Sequence, residues 1–272
     1  MSAIPSRIPI AAFDAVADDY DQRFTESKIG QAQRVSVWEQ LEKAFAPGDR
    51  VLEIGCGTGV DACFLASRAV TVVACDSSPR MIQITARRVK NSRMQSFVHP
   101  RLLAAEEIAS LHSGVLFDGA FSNFGALNCI DDLRSLASDL AGLLRPGAVA
   151  LLCWMGPCCA WEIAWYLAQA KAKKAFRRLR RGGVTARLAD DAVVRVHYPS
   201  VRYISRMFRP EFRLESLRGI GISLPPSYVE SWVASRPRWF DACVKADSVL
   251  GRCPGVRVLA DHILLRFERM SI

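Results

Sequence analysis

The chain has little from which to build a metal centre. Its 272 residues include four histidines and nine cysteines. There is no Cys-x-x-Cys and no acid–histidine cluster at ligand spacing, so neither a zinc site nor a disulfide framework is indicated, and no metal is expected. Residues 1 to 12 lack a basic start followed by a long apolar run, so no signal peptide is expected. No internal repeat is visible. The one stretch that imitates a membrane span, residues 148 to 170, carries Glu162 and is broken by Gly156-Pro157. It reads as a strand from Ala148 to Met155 and a helix from Cys158 onward. Cys158-Cys159 reads as two small apolar residues at that helix start, with a thiophilic-metalloid site as the alternative.

Half of the residues are hydrophobic, enough for a substantial core in one α/β domain of this length. Cys56, Cys63, Cys75, Cys129 and Cys153 fall in or beside core elements. That suggests reduced, buried thiols and a cytoplasmic location.

The most informative segment is Val51-Leu52-Glu53-Ile54-Gly55-Cys56-Gly57-Thr58-Gly59, a buried strand running into a glycine-rich turn. Roughly 20 residues further on, a second apolar strand, Val70 to Cys75, ends in Asp76. Glycines let a ligand approach the backbone, and an acid at the next strand end can take a ribose diol. The spacing is G-x-G-x-G. Val60 stands where a dinucleotide loop would place its last glycine, which argues against a nicotinamide cofactor; a plain strand–helix turn is the bland alternative. Helix and strand patterns then alternate to about residue 155, as in a parallel sheet covered on both faces.

In this order and spacing the motifs resemble the class I S-adenosylmethionine-dependent methyltransferases. The resemblance covers roughly residues 13 to 155. It implies a doubly wound, mostly parallel seven-stranded α/β sheet of Rossmann-like type, with helices on both faces and a helical lid insertion. The cofactor it implies is S-adenosylmethionine. Glu53, Gly55, Cys56, Gly57 and Gly59 match the loop around its methionine portion. Asp76 matches the ribose acid, with Ser77 and Met81 following beside the adenine. Leu103-Ala104-Ala105-Glu106 resembles the adenine-edge motif, with Ala104 where the family often has Asp. Ser122, Asn123 and Phe124 match the loop over the cofactor. Residues 13 to 21 are similar to the lid segment of the quinone-biosynthesis-like branch, and this makes Tyr20 a candidate to touch cofactor or acceptor.

Four regions are expected: an N-terminal helical lid region (13–46), a cofactor-binding core (47–155), a basic helical insertion (156–210) and a C-terminal part (211–272). The last completes the sheet with a strand near Phe212 to Ile222, a helix from Ser227 to Leu250 and a strand from Val256 to Arg269. The insertion is expected to carry a helix with the stripe Trp161, Trp165, Ala168, Ala172, Ala175, Phe176 and Leu179. Around the stripe lie Lys171, Lys173, Lys174, Arg177, Arg178, Arg180, Arg181 and Arg187, with no acid between residues 163 and 189. These bases account for most of the chain's net charge of +9. They read either as a solvated helix face or as a lid. A lid could select an anionic or carrier-bound acceptor, rest on an anionic membrane surface or follow an RNA backbone. No recognised RNA module accompanies the patch.

His197, inside the expected lid, is the candidate general base. His99, His112 and His262 read as structural, and Asn128 and Asp131 as a turn and a helix cap. The expected activity is methyl transfer to a small-molecule or lipid-like acceptor. Alternatives are RNA methylation and a non-catalytic cofactor-binding regulator of the same fold. The loop Ser122-Asn123-Phe124-Gly125 lacks the Asn/Asp-Pro-Pro-aromatic signature used on exocyclic amines, which makes nucleic acid the less favoured acceptor.

Overall fold

A computed structural model describes residues 10–180, 182–189, 192–225, 229–230, 233 and 235–271. The N-terminal region forms α1 (Ile10–Asp14), α2 (Ala17–Tyr20), a π-helical turn (Asp21–Thr25) and α3 (Lys28–Ala44). Ser27 caps α3 by accepting from the Gly30 amide, which satisfies one of the open donors of the first turn.

The core alternates as its apolar pattern requires: β1 (Arg50–Ile54), α4 (Val60–Ala66), β2 (Thr71–Asp76), α5 (Pro79–Asn91), β3 (Val98–Leu102), β4 (Phe117–Ser122), α6 (Leu133–Leu143) and β5 (Leu144–Met155). Proline at the first position of α5, with Ser78 capping the Met81 amide, sets that helix immediately after Asp76. These five strands are parallel. With β8 (Phe212–Ile220) and β9 (His262–Arg269) they form one sheet in the order β3-β2-β1-β4-β5-β9-β8, in which β9 runs antiparallel to both neighbours.

Alternate residues of each strand feed two cores, because side chains alternate across a sheet. Leu52, Ala120, Leu152, Trp154 and Leu265 pack with α6 and with Phe208. Val51, Phe121, Leu151, Cys153 and Leu264 pack under α3 and α4. Trp154 is fully buried and meets Phe208 edge-on at 5.9 Å. Burial pushes the thiols of Cys75 and Cys153 up to about 12. Such thiols are inert at neutral pH.

The insertion differs from the expected helical lid. It begins with α7 (Ala160–Ala168), capped by Cys159, and the chain turns at Ala170, whose φ is +55°. A single turn, α8 (Ala172–Ala175), and a 3-10 turn (Arg177–Leu179) follow. The chain then enters an antiparallel hairpin, β6 (Val184–Ala189) and β7 (Ala192–Val196), and ends in α9 (Val201–Met207). Ala192, Val194 and Val196 are buried while Val193 and Arg195 are exposed; that period of two marks a half-buried strand. A single helix cannot hold the stripe from Trp161 to Leu179.

The C-terminal strands are shorter than expected. β9 starts at His262, because residues Arg257–Leu259 form a 3-10 turn. The described part of the helix between β8 and β9, α10, runs Pro237–Leu250; Ser227 lies outside the described residues. No helix among the described residues is long and apolar enough to cross a membrane.

Candidate active site

The turn after β1 lies where the parallel strands end, the ligand-binding edge of doubly wound sheets. Gly55, Gly57 and Gly59 all have positive φ. A side chain at Gly55 would stand 2.3 Å from the Ala126 Cβ, and one at Gly59 would strike Thr85. At Gly57 nothing lies within 4 Å. Gly55 and Gly59 close the turn against the protein, while Gly57 presents bare backbone to open space.

Asp76 ties this turn to β2. Its carboxylate accepts from the Gly57 amide at 2.8 Å and from the Ser78 amide at 2.9 Å. Burial raises its carboxyl above the ordinary value, while these two amides hold it down. Each oxygen keeps a second lone pair, so the carboxylate can still accept from a ligand diol.

Two adjoining cavities meet at the turn. The larger, about 380 Å³, is bounded by Gly55, Gly57, Asp76, Ser77 and Met81 on one side and by Ala105 and Glu106 on another. The smaller, about 30 Å³, adds Cys56, Arg34 and Asp61. Tyr20, Asn123 and Phe124 line both. Glu53, Gly59 and Ser122 line neither. Ser122 donates to the Ile54 carbonyl at 2.7 Å beneath the loop, and Glu53 is buried behind it.

Three buried polar atoms around this point have no partner: Arg34 Nε, Glu53 Oε2 and Asn123 Oδ1. One is a donor and two can accept. A zwitterionic amino-acid moiety needs this combination, since its carboxylate takes a donor and its ammonium takes acceptors. The unpartnered Arg34 and Asn123 atoms beside the glycine turn are therefore chemically compatible with the amino-acid end of S-adenosylmethionine.

The methyltransferase-domain family matches residues 52–150, the segment that contains the glycine turn, Asp76 and the loop after β4. This match and the fold support a likeness to the class I S-adenosylmethionine-dependent methyltransferases. A demethylmenaquinone methyltransferase of Clavibacter sepedonicus is 29% identical over 53% of this chain and 56% of its own length. A tRNA 5-carboxymethoxyuridine methyltransferase of Escherichia coli K12 is 30% identical over 52% of this chain and 54% of its own. The chain thus spans little more than half the length of the curated relatives it matches. Among solved structures, the CcbJ methyltransferase from Streptomyces caelestis superposes with a TM-score of 0.62 at 17% identity, over 96% of this chain and 98% of that one; this likeness concerns the fold.

Features that the sequence motifs do not disclose complete the candidate site. Asp61, at the start of α4, is a buried hub. It accepts from Arg34 at 2.6 Å, the Trp38 indole at 2.8 Å and Asn123 at 3.0 Å. An acid two residues past the last glycine was the available signal. Phe124 adopts φ +52°, an unusual state for a bulky residue. Phe24 at 4.9 Å, His262 at 5.6 Å and the Arg34 guanidinium at 4.9 Å hold its ring.

The acids of the N-terminal segment fasten it across the site. Asp14 accepts from the Ser78 hydroxyl and from the Arg80 amide at 3.1 Å. Asp18 pairs with Arg80 at 2.7 Å. Asp21 accepts from Thr58 at 2.7 Å and pairs with Arg88. Tyr20 is thereby carried to the junction of the two cavities. Burial and the nearby carboxylates of Asp61, Asp21 and Asp76, opposed by Arg34, push its hydroxyl up to about 12. It stays protonated at neutral pH and is a donor rather than a base.

His197 does not line the cavity above the glycine turn. It faces a neighbouring one of about 530 Å³, with Nε2 2.7 Å from Asp131 Oδ1. Tyr198 and Ile130 line both spaces. Asp132, not Asp131, caps α6. Asn128 is a staple: its side chain donates to the Met155 and His197 carbonyls and accepts from the Met155 amide. It fixes β7 to the end of β5.

The basic segment is less free than its composition suggests. Arg177 and Arg178 both pair with Glu162, and Arg178 also with Asp261 at 2.6 Å. Lys171, Lys173, Lys174, Arg180 and Arg187 are exposed, and Arg181 lies outside the described residues.

Glu53 supplies a pH signature. Burial and nearby Asp61, with Arg34 opposing and Asp76 adding, push its carboxyl well above the usual range. The native state therefore holds a proton that the unfolded chain releases near pH 4. Stability falls, relative to a neutral isostere, as pH rises from there toward the native pKa, by about 1.4 kcal/mol per pH unit in that window. Glu53→Gln should raise the denaturation midpoint at pH 7.5 and leave it unchanged at pH 4. Equal midpoints at both pH values would show that Glu53 is charged in the native state.

Proposed function

We propose that this chain transfers the methyl group of S-adenosylmethionine to a small, largely apolar acceptor held between the glycine turn and the β6–β7 hairpin. The observation that carries the reading is the wall of the larger cavity. Opposite Gly57 and Asp76, the hairpin contributes Ala186, Leu188, Val194 and Val196, and Met155 and Phe13 complete an apolar surface. A pocket of this size and character suits a drug-sized apolar ligand with few polar handles.

The bound cofactor supplies an electrophilic methyl on a sulfonium. The chain then has to hold the acceptor atom in line with that methyl, about 3 Å away, and to exclude water. The hairpin and the N-terminal strap enclose the space from two sides. Tyr20, protonated and at the junction, donates a hydrogen bond to the acceptor and orients it. His197 and Asp131 face the neighbouring cavity, so this reading assigns them no proton transfer from an acceptor confined to the larger one. The quinone-type names among the relatives are consistent with such an acceptor. The tRNA methyltransferase relative supports a second reading with an RNA acceptor.

Ala186→Trp tests the first reading. The indole would fill the hairpin side of the cavity. Transfer of labelled methyl to a lipid and quinone extract should fall by at least about 100-fold, as expected when a reacting group is displaced by an ångström or more. Affinity for S-adenosylhomocysteine should stay within about twofold, because Ala186 is absent from the cofactor turn. Unchanged transfer to the extract would sink the acceptor assignment, and labelling of bulk RNA in its place would favour the second reading.

A further inference from the structure

Away from the cofactor turn, a groove of about 280 Å³ opens over the paired strands β8 and β9, beside the C-terminal half of α3. It shares no lining residue with the cavities described above. Leu151 and Leu264 form part of its lining and belong to the core under α3. Its polar lining is almost wholly cationic: Lys43 from α3, Arg218 from β8, Arg266 from β9, and Arg252 and Arg257 from the segment after α10.

The carboxylates that reach these cations are few. Glu39 lies 3.4 Å from Arg218, and Glu215 lies 3.1 Å from Arg266. Among the described residues Lys43, Arg252 and Arg257 make no ion pair, and Arg257 spends one donor on the Leu217 carbonyl. Arg218 is the costly member. Its side chain is only 10% exposed, and its carboxylate partner is 45% exposed and at the limit of a hydrogen bond. Burial and the like charge of Arg252 lower its pKa despite Glu39. A guanidinium in this position lacks the compensation that buried charges normally have.

An independent observation points the same way. Gln40 lines the groove, and its buried Nε2 has no hydrogen-bond partner. The cationic side chains around it are donors, so none can accept from this amide. A group rich in acceptor oxygens would satisfy it and the arginines together. Arginine forks match phosphate oxygens in pairs. The cations converge on one concavity of roughly nine water volumes, at about 30 Å³ each. They do not form the extended stripe that tracks a nucleic-acid backbone.

We propose that this groove is a binding site for a soluble di- or triphosphate group, free or as the head of a small phosphorylated molecule. Pyrophosphate is the probe. Calorimetry on the full chain in about 50 mM salt, where exposed charges are weakly screened, should show one site. Orthophosphate, with fewer oxygens to share, should bind about tenfold more weakly, the equivalent of one charge-assisted bond. Saturating S-adenosylhomocysteine should not compete.

Lys43→Ala/Arg252→Ala, two exposed positions, should weaken pyrophosphate by at least about tenfold and leave the melting temperature of the free protein unchanged. Gln40→Leu separates a ligand role from a structural one. Removing an unsatisfied donor should raise the melting temperature of the free protein and reduce the further rise that pyrophosphate gives. Four results would overturn the proposal: no heat from the wild type, equal binding by the Lys43/Arg252 variant, competition by S-adenosylhomocysteine, or retention on RNA or on phosphatidic-acid vesicles without pyrophosphate binding.

Discussion

Exchange of Glu162 for Gln is expected to cost about 3–5 kcal/mol of stability, the penalty for breaking a buried ion pair by removing one partner. The Glu162 carboxylate is 1% exposed and accepts from Arg177 at 2.7 and 3.1 Å and from Arg178 at 3.1 and 2.7 Å. Arg178 is 6% exposed and stacks 5.2 Å from the centre of the Tyr198 ring. Without Glu162 its charge is left to Asp261 alone. The loss should concentrate in the insertion, because Asp261 precedes β9 and ties the lid to the sheet. Denaturant titration gives the magnitude, and hydrogen exchange across residues 160 to 200 gives the location. A variant with wild-type midpoint and wild-type protection would show that the pairs contribute nothing net.

The second large effect concerns cofactor binding. Asp76→Ala should lower the affinity for S-adenosylhomocysteine by at least about 100-fold. The variant loses charge-assisted hydrogen bonds to a diol, worth about 1.5–3 kcal/mol each. It also loses the acceptor that holds the Gly57 amide in place. Asp76→Asn, which keeps one oxygen but no charge, should fall between wild type and Ala. A folded Ala variant that binds at wild-type strength in calorimetry would remove Asp76 from the cofactor site.

These two residues show where a sequence is readable and where it is not. Asp76 is legible because its partners are local in pattern: a strand, a glycine turn and a second strand define its position without knowledge of the rest. The order of the first five strands is legible for the same reason. Glu162 is not. It stands just outside the acid-free run, and its effect on Arg177 and Arg178 depends on how α7 folds back and on Asp261, far along the chain. The basic segment therefore appears in the sequence as free positive charge, whereas two of its arginines are already neutralised.

The hairpin was hidden by a similar conflict. Trp161 to Leu179 fits a helical period on paper, but the turn at Ala170 ends it. The alternation of Val184–Ala189 and Ala192–Val196 is short and interrupted by arginines. His197 was reachable as a residue type but not as a position, since which cavity it lines is a tertiary feature. The acids at 14, 18 and 21 were legible as part of a motif. Their partners on α5 and in the glycine turn were not.

The place of β9 has a consequence for how the molecule is made. Leu152 of β5 faces Leu265 of β9 across an antiparallel ladder, and among the described residues β8 joins the sheet only through β9. While the ribosome is still synthesising residues 156 to 261, the five parallel strands that carry the glycine turn can already assemble, but the outer edge of β5 stays bare. An unpaired strand edge invites pairing with another chain. The nascent protein therefore passes through an interval in which its glycine turn can form before its sheet is closed.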